Sequence, residues 1–234
     1  MVEETATVYV VEDDDELRLA LATMIRSVGL QVREFSHPRE FLANYDPQTP
    51  GCLVVDLRLP DMSGLELQRL AAGLGSLHPF LVISGQGEVS SAVAAMQQGA
   101  LDYIEKPFSR QQLLDRVHQA IDQDRQRRKL VAQQQHVRWL IASLTTRERE
   151  VLDQVVEGRL TKEIARQLGI SPKTVEVHRA NVVRKMGADN IAELIRIVMQ
   201  LTPWSANGDQ ALSATWSGHG GLPSLSARGT VAEP

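Results

Sequence analysis

Four short, nearly unbroken apolar runs at 7–11, 52–55, 80–83 and 101–104 punctuate the first 108 residues. A strand that is apolar at consecutive positions must be covered on both faces, which calls for a parallel sheet between layers of helix. A fifth run, at 30–35, carries Gln31, Arg33 and Glu34 and suits the edge of such a sheet. Between the runs lie helical patterns, such as Leu17, Leu21, Met24, Ile25 and Val28 at spacings of three and four. Strands alternating with helices imply right-handed crossovers. Five such units in roughly 120 residues predict an α/β, flavodoxin-like (βα)5 domain, its five-stranded parallel sheet ordered 2-1-3-4-5.

From residue 109 the strand signal disappears. Residues 109–123 read as the fifth helix, with Leu113, Leu114, Val117 and Ile121 facing inward, so the first domain is expected over 1–123. Residues 124–142 are rich in Gln, Arg and Lys with little apolar periodicity, and predict a solvated helical linker. A compact all-α pattern of four helices follows over 143–201. The last stretch, 202–234, is loaded with Gly, Ser, Ala and Pro without a usable period and predicts a disordered tail.

Charge divides along the same line. Residues 1–108 carry 7 Lys/Arg against 16 Asp/Glu, whereas 109–201 carry 17 against 11. An acidic module followed by a basic one suggests a cation-handling half and a polyanion-binding half. No apolar run approaches the ~20 residues that span a bilayer. Glu3 and Glu4 replace the basic stretch of a secretory signal, and the lone Cys52 leaves no internal disulfide. These features point to the cytoplasm, with no membrane partner.

In an open α/β sheet, ligands bind beyond the carboxyl ends of the strands. Here those ends carry Glu12-Asp13-Asp14, Asp56, Ser84-Gly85 and Lys106-Pro107. Taken singly, each has an ordinary explanation: an acidic run favours a helix N-terminus, and Asp, Ser and Lys-Pro all punctuate loops. Their coincidence at neighbouring strand ends is what carries weight. Clustered carboxylates suit a hard cation such as Mg²⁺ (or Mn²⁺), and Asp is an acceptor of phosphoryl groups. A lysine and a hydroxyl would neutralise and hydrogen-bond the transferred group.

The second half reads as stacked helix boundaries. Thr145-Thr146-Arg147-Glu148 has the capping-box form, and Thr161 is a candidate cap for the next helix. Gly169-Ile170-Ser171-Pro172 supplies a tight turn, an N-cap and an N1 proline. Two short helices joined this way are a helix-turn-helix. On the third helix Val175, Val182 and Met186 share an inner side. Lys173, Glu176, Val177, Ala180, Asn181 and Arg184 project outward, a mixture suited to the DNA major groove. Lys162 and Arg166 on the preceding helix could add backbone contacts. A helical bundle with a merely solvated polar face remains open on this pattern alone.

Two resemblances sharpen the reading. Residues 6–108 resemble a response-regulator receiver domain through Val10-Val11-Glu12-Asp13-Asp14, Asp56-Leu57-Arg58-Leu59-Pro60, Ser84-Gly85, and Tyr103-Ile104-Glu105-Lys106-Pro107-Phe108. Residues 144–201 are similar to the LuxR-type domain of NarL/FixJ regulators through Leu144-Thr145-Thr146-Arg147-Glu148, Lys162-Glu163-Ile164-Ala165, Leu168-Gly169-Ile170-Ser171, Lys173-Thr174-Val175, His178, Asn181 and Lys185-Met186. The first resemblance implies Asp56 as phosphoacceptor, with Glu12, Asp13, Asp56 and the Arg58 carbonyl as the Mg²⁺ site. It further implies Ser84 and Tyr103 as switch residues, Lys106 as phosphate-binding lysine, and a cis peptide before Pro107. Glu12 stands where Asp is commoner and Ser84 where Thr is commoner. The second places Glu176, Val177 and Ala180 toward bases, and Lys173, Thr174 and Lys185 near phosphates.

Together they imply a transcription regulator rather than an enzyme. They further imply that a sensor histidine kinase phosphorylates it and that it dimerises through the fourth helix and fifth strand, roughly 89–103. It then binds promoter half-sites, most often as an activator, with RNA polymerase a further partner. Three rivals remain open: a phosphohydrolase, a phosphorylation-independent regulator on the same scaffold, and a protein that sequesters partners instead of binding DNA. The phosphohydrolase is disfavoured because Arg58 stands where dehalogenase-type enzymes carry a second Asp.

Overall fold

The computed structural model describes residues 6–85, 89–199 and 201, and for 89–92 the backbone alone. The stretch expected to be a disordered tail lies outside the described residues, as does the acidic N-terminus. Contacts divide the chain into two units that meet between Ala132 and Gln133.

In the first unit, strands β1 (Thr7–Val11), β2 (Gln31–Phe35), β3 (Gly51–Asp56), β4 (Phe80–Ser84) and β5 (Asp102–Glu105) alternate with α1 (Asp15–Arg26), α2 (Pro38–Asn44), α3 (Gly64–Gly73) and α4 (Val89–Gln97). Helix α5 (Arg110–Ala142) follows. All pairings are parallel, in the order β2-β1-β3-β4-β5, as the apolar runs predict. Alternate residues of each strand serve two cores. Val8, Val10, Cys52, Val54, Leu81 and Ile83 pack with Leu21 and Ile25 of α1 and with Leu113, Val117 and Ile121 of α5. Tyr9, Val11, Leu53, Val55 and Val82 pack on the other face with Phe41, Leu67 and Ala95. Burying each of these large side chains contributes about 1.5–3 kcal/mol, so the sheet is anchored from both sides. Strand β2 is an edge, alternately exposed and half-buried until Phe35.

Two glycines are fixed by close approach. A Cβ on Gly51, at the start of β3, would lie 1.8 Å from the Thr7 carbonyl oxygen. One on Gly64 would lie 2.5 Å from the Asp56 carbonyl oxygen, so only glycine lets α3 begin against the end of β3.

Helix α5 is continuous to Ala142, and this alters the expected linker over 124–142. Asp124 is fully buried, and Val137 and Ile141 belong to the core of the second unit. The solvated character holds only for the turns between. Charged residues at inward positions conceal the helical period from a reading that counts apolar residues alone.

The second unit continues with α6 (Thr146–Val156), α7 (Thr161–Leu168), α8 (Pro172–Lys185) and α9 (Ile191–Met199). Its core joins Val151, Leu152, Val155, Ile164, Val175, Val182, Met186, Leu194 and Val198. Thr145 and Glu148 form the expected capping box, and Ser171 caps α8 ahead of Pro172. Gly169 adopts φ 66° in the turn between α7 and α8. The cap of α7 differs from expectation: Leu160 occupies the N-cap position, and its N–H donates to Glu163 Oε2 at 2.9 Å. Thr161 is instead the first helical residue, which leaves its hydroxyl to another partner. Among the described residues no helix is long and apolar enough to cross a membrane.

Candidate functional site

Register brings the polar strand ends together. Val11 pairs with Val55, Asp56 with Ile83, and Ser84 with Glu105, so Glu12, Asp56, Ser84 and Lys106 emerge side by side. Glu12 and Asp56 are buried, Ser84 is almost fully buried, and Asp13 is exposed at the rim. The acidic run after β1 therefore divides its labour. Glu12 and Asp13 turn to the pocket, while Asp14 caps α1 by accepting from the N–H groups of Glu16 and Leu17 at 2.9 and 3.1 Å.

One ammonium serves both buried carboxylates. Lys106 Nζ lies 2.8 Å from Asp56 Oδ1 and 3.1 Å from Glu12 Oε2. The other oxygen of Asp56 accepts the Arg58 N–H at 3.1 Å. Burial, followed by repulsion from Asp56, pushes the Glu12 carboxyl above its ordinary value despite the lysine. For Lys106, burial works against the charge, but the hydrogen bonds to Asp56 and Glu12 outweigh it and raise its pKa. Two carboxylates and a single cation leave the pocket electrostatically underneutralised.

Carboxylate oxygens of Glu12, Asp13 and Asp56 lie within 4.8 Å of one another. An all-oxygen, partly buried set with excess negative charge fits a small hard dication such as Mg²⁺. Ser84 Oγ is 3.4 Å from the Gly85 carbonyl, and the hydroxyl sits at the same strand-end level as Asp56. Tyr103 is half-buried against the second core of the sheet, and the Lys106–Pro107 peptide is cis. The face formed by the fourth helix and fifth strand shows half-exposed Val93 and Met96; residues 86–88 within its approach lie outside the described residues.

In the second unit, Lys162 and Arg166 of α7 and Lys173, Glu176, Val177, Ala180 and Arg184 of α8 are exposed, while Thr174, Asn181 and Lys185 are half-buried. Arg184 donates to Asn181 Oδ1 at 2.9 Å, and the Thr174 hydroxyl bonds with that of Ser171. An exposed valine at the centre of a polar helical face gives apolar contact for a groove methyl.

Lys185, expected near phosphates, is half-buried at the end of α8. Its ammonium is 2.7 Å from Glu148 Oε2, and Glu148 is buried. The Lys185 hydrogen bond, with that of the Thr145 N–H, holds the Glu148 carboxyl down at about 2. This lysine fastens α8 to the start of α6. Sequence reading also missed Arg179, whose guanidinium donates to the Thr161 hydroxyl at 2.7 Å and so ties the recognition helix to the first turn of α7. The only local signal was an arginine on the flank of a helix otherwise read by its faces.

Comparison with known proteins agrees with this architecture. Residues 8–118 match the response regulator receiver domain family, and residues 142–198 match the bacterial regulatory proteins of the luxR family. Nodulation protein W of Bradyrhizobium diazoefficiens is 41% identical over 192 residues, covering 82% of this chain and 85% of that protein. The response regulator protein TmoT of Ectopseudomonas mendocina is 37% identical over 201 residues, covering 86% and 91%. Among solved structures, the response regulator StyR superposes with a TM-score of 0.75 at 37% identity, over 84% of this chain and 99% of that one. Full-length FixJ from B. japonicum gives 0.53 at 38% identity, over 84% and 97%.

Proposed function

Because this chain belongs to the two-component response regulators that join a receiver domain to a LuxR-type DNA-binding domain, we propose that it is a cytoplasmic transcriptional activator switched by phosphorylation of Asp56. The observation that carries this reading is the shared ammonium of Lys106 between Asp56 and Glu12 at the ends of the strands.

A carboxylate oxygen of Asp56 attacks the phosphorus of a phosphohistidine on a sensor kinase, or of a small phosphodonor. A new P–O bond forms as the P–N bond of phosphohistidine breaks, the leaving imidazole keeping the electron pair and taking up a proton; with acetyl phosphate the bond broken is the P–O bond to acetate, which leaves as the carboxylate. Glu12, Asp13, Asp56 and the Arg58 carbonyl would hold Mg²⁺ (or Mn²⁺), which would supply charge neutralisation for the crowded oxygens. Lys106 remains as the charge partner of the new phosphoryl group, and the Ser84 hydroxyl donates to one of its oxygens. Tyr103, half-buried beside that strand end, follows Ser84 inward.

The displaced fourth-helix and fifth-strand face, 89–103, then pairs two receivers. Pairing brings two copies of α8 to promoter half-sites, where Glu176, Val177 and Ala180 face bases. Lys173, Thr174 and Lys185 lie near phosphates, with Asn181, Arg184 and Lys162 at the backbone and flanking positions. A contact with RNA polymerase completes activation.

Intact mass after incubation with Mg²⁺ and acetyl phosphate tests the first step. One labile phosphoryl group on the wild type and none on Asp56→Asn is the expected result. An unmodified wild-type chain with its fold intact would overturn the reading.

A further inference from the structure

The inward face of α5 changes chemistry midway. Leu113, Leu114, Val117, Ala120 and Ile121 are buried in the first-unit core, but the next two inward positions are Asp124 and Arg128. Charged residues occupy such positions only when paired and hydrogen-bonded. Both are. Asp124 Oδ2 accepts Arg128 Nε at 2.7 Å and the Gly51 N–H at 2.9 Å, and Asp124 is fully buried. The Arg128 guanidinium spreads over the loop before β3, donating to the carbonyls of Gln48, Pro47 and Thr49 at 2.8, 2.9 and 3.1 Å. His78 closes the cluster: its Nε2 contacts the Thr49 carbonyl and its Nδ1 the Tyr45 hydroxyl, which also bonds Ser76. Burial holds the imidazole below its ordinary pKa.

This cluster lies at the amino ends of the strands, opposite the carboxylate pocket. Resting on the switch reading above, we propose that Asp124 and Arg128 are a register lock fixing α5 to the receiver through its polar stretch. Arg128 is thereby a positioning residue for transmitting the receiver's state along α5. The physical case is directional. A slip of α5 by one turn would set the Arg128 donors against the Gly51 N–H, donor facing donor, with Asp124 drawn out of its buried seat. An apolar pair would tolerate that slip; a charged pair with four fixed backbone partners does not. Gly51 itself is held in the ladder between β1 and β3, opposite Thr7.

The test is amide hydrogen exchange of the full chain, read over residues 122–135, in wild type, Arg128→Met and Arg128→Lys. Arg128→Met is expected to speed exchange there at least tenfold, with β1 and β3 protected as in wild type. Arg128→Lys, which keeps one donor for Asp124, is expected to give a smaller rise. Should Arg128→Met also loosen β1 and β3, Arg128→Lys decides: faster exchange confined to 122–135 supports the lock. Unchanged exchange over 122–135 in the variants overturns it. In parallel, promoter-DNA affinity is measured before and after acetyl phosphate, with Asp56 phosphorylation followed by mass. The variant is expected to accept the phosphoryl group yet lose most of the wild-type gain in affinity. A freed helix with the full gain retained overturns the transmitting role. A wild type that gains no affinity would instead sink the switch reading, and the lock then stands or falls on exchange alone.

Discussion

Lys185 and Glu148, 37 residues apart in sequence, meet at 2.7 Å inside the DNA-binding unit. The cation that heads the end of the recognition helix is thus engaged within its own domain. Its partner gains from this: the carboxyl is held at about 2 against an ordinary 4.5. A depressed carboxylate pKa gives stability that is present above the ordinary value and lost as pH falls toward the folded one. Between roughly pH 4.5 and 2 this unit is expected to lose on the order of 2 kcal/mol through Glu148. Among the described residues the one tryptophan, Trp139, lies in this unit, so hydrogen exchange in urea over α6 and α8 is read beside its fluorescence. Lys185→Met should lower the urea midpoint at pH 7 and flatten that acid dependence; an unchanged midpoint would show the pair to be idle.

Glu12 titrates in the opposite sense. Burial and the Asp56 carboxylate raise its pKa, so without metal its ionised form opposes folding at neutral pH, and the opposition fades as pH falls through the raised value. Glu12→Gln is expected to raise the melting temperature in EDTA at pH 7, with the difference from wild type closing in acid. The same substitution removes one charge from the cation site and should weaken Mg²⁺ binding by roughly tenfold or more. Melting curves in EDTA and across a Mg²⁺ titration check both signs.

Ser84 is almost fully buried at the strand end next to that of Asp56. Ser84→Ala is expected to leave the mass shift at Asp56 intact while cutting the phosphorylation-dependent gain in DNA affinity by about fivefold, equivalent to the ~1 kcal/mol of one hydrogen bond. Fluorescence anisotropy on promoter DNA, with and without acetyl phosphate, reads the ratio.

Arg179 and Thr161 make a 2.7 Å bond between α8 and the first turn of α7. A double-mutant cycle with Arg179→Leu and Thr161→Val should give a coupling of about 0.5–1.5 kcal/mol in DNA affinity. Coupling near zero would show that this bond plays no part in DNA affinity.

What the sequence made legible follows from periodicity. Runs such as Val8–Val11 and Val82–Ile83 announce buried parallel strands because every second residue meets a different core. Strand ends are then known, and with them the convergence of Glu12, Asp56, Ser84 and Lys106. Polar pairs closed over long separations have no period. Glu148 with Lys185, Arg179 with Thr161, and Asp124 with Gly51 each join distant positions through side chains whose local neighbourhoods look solvated. Thr161 shows the limit in miniature: its type suits a cap, yet the backbone places Leu160 there and Thr161 one residue inside.

The polar edge strand β2 carries a last consequence. A sheet edge offers unpaired backbone groups to any passing strand, and such edges nucleate aggregation. Here the exposed rim is studded with Gln31, Arg33 and Glu34, Glu34 is engaged by Arg26 at 2.6 Å, and Arg33 folds over the Tyr9 and Phe35 rings at 5.7 and 5.6 Å. A neighbouring molecule adding a strand at this edge would have to strip charges from water and break that ion pair. This edge of the sheet is therefore a poor template for a second chain.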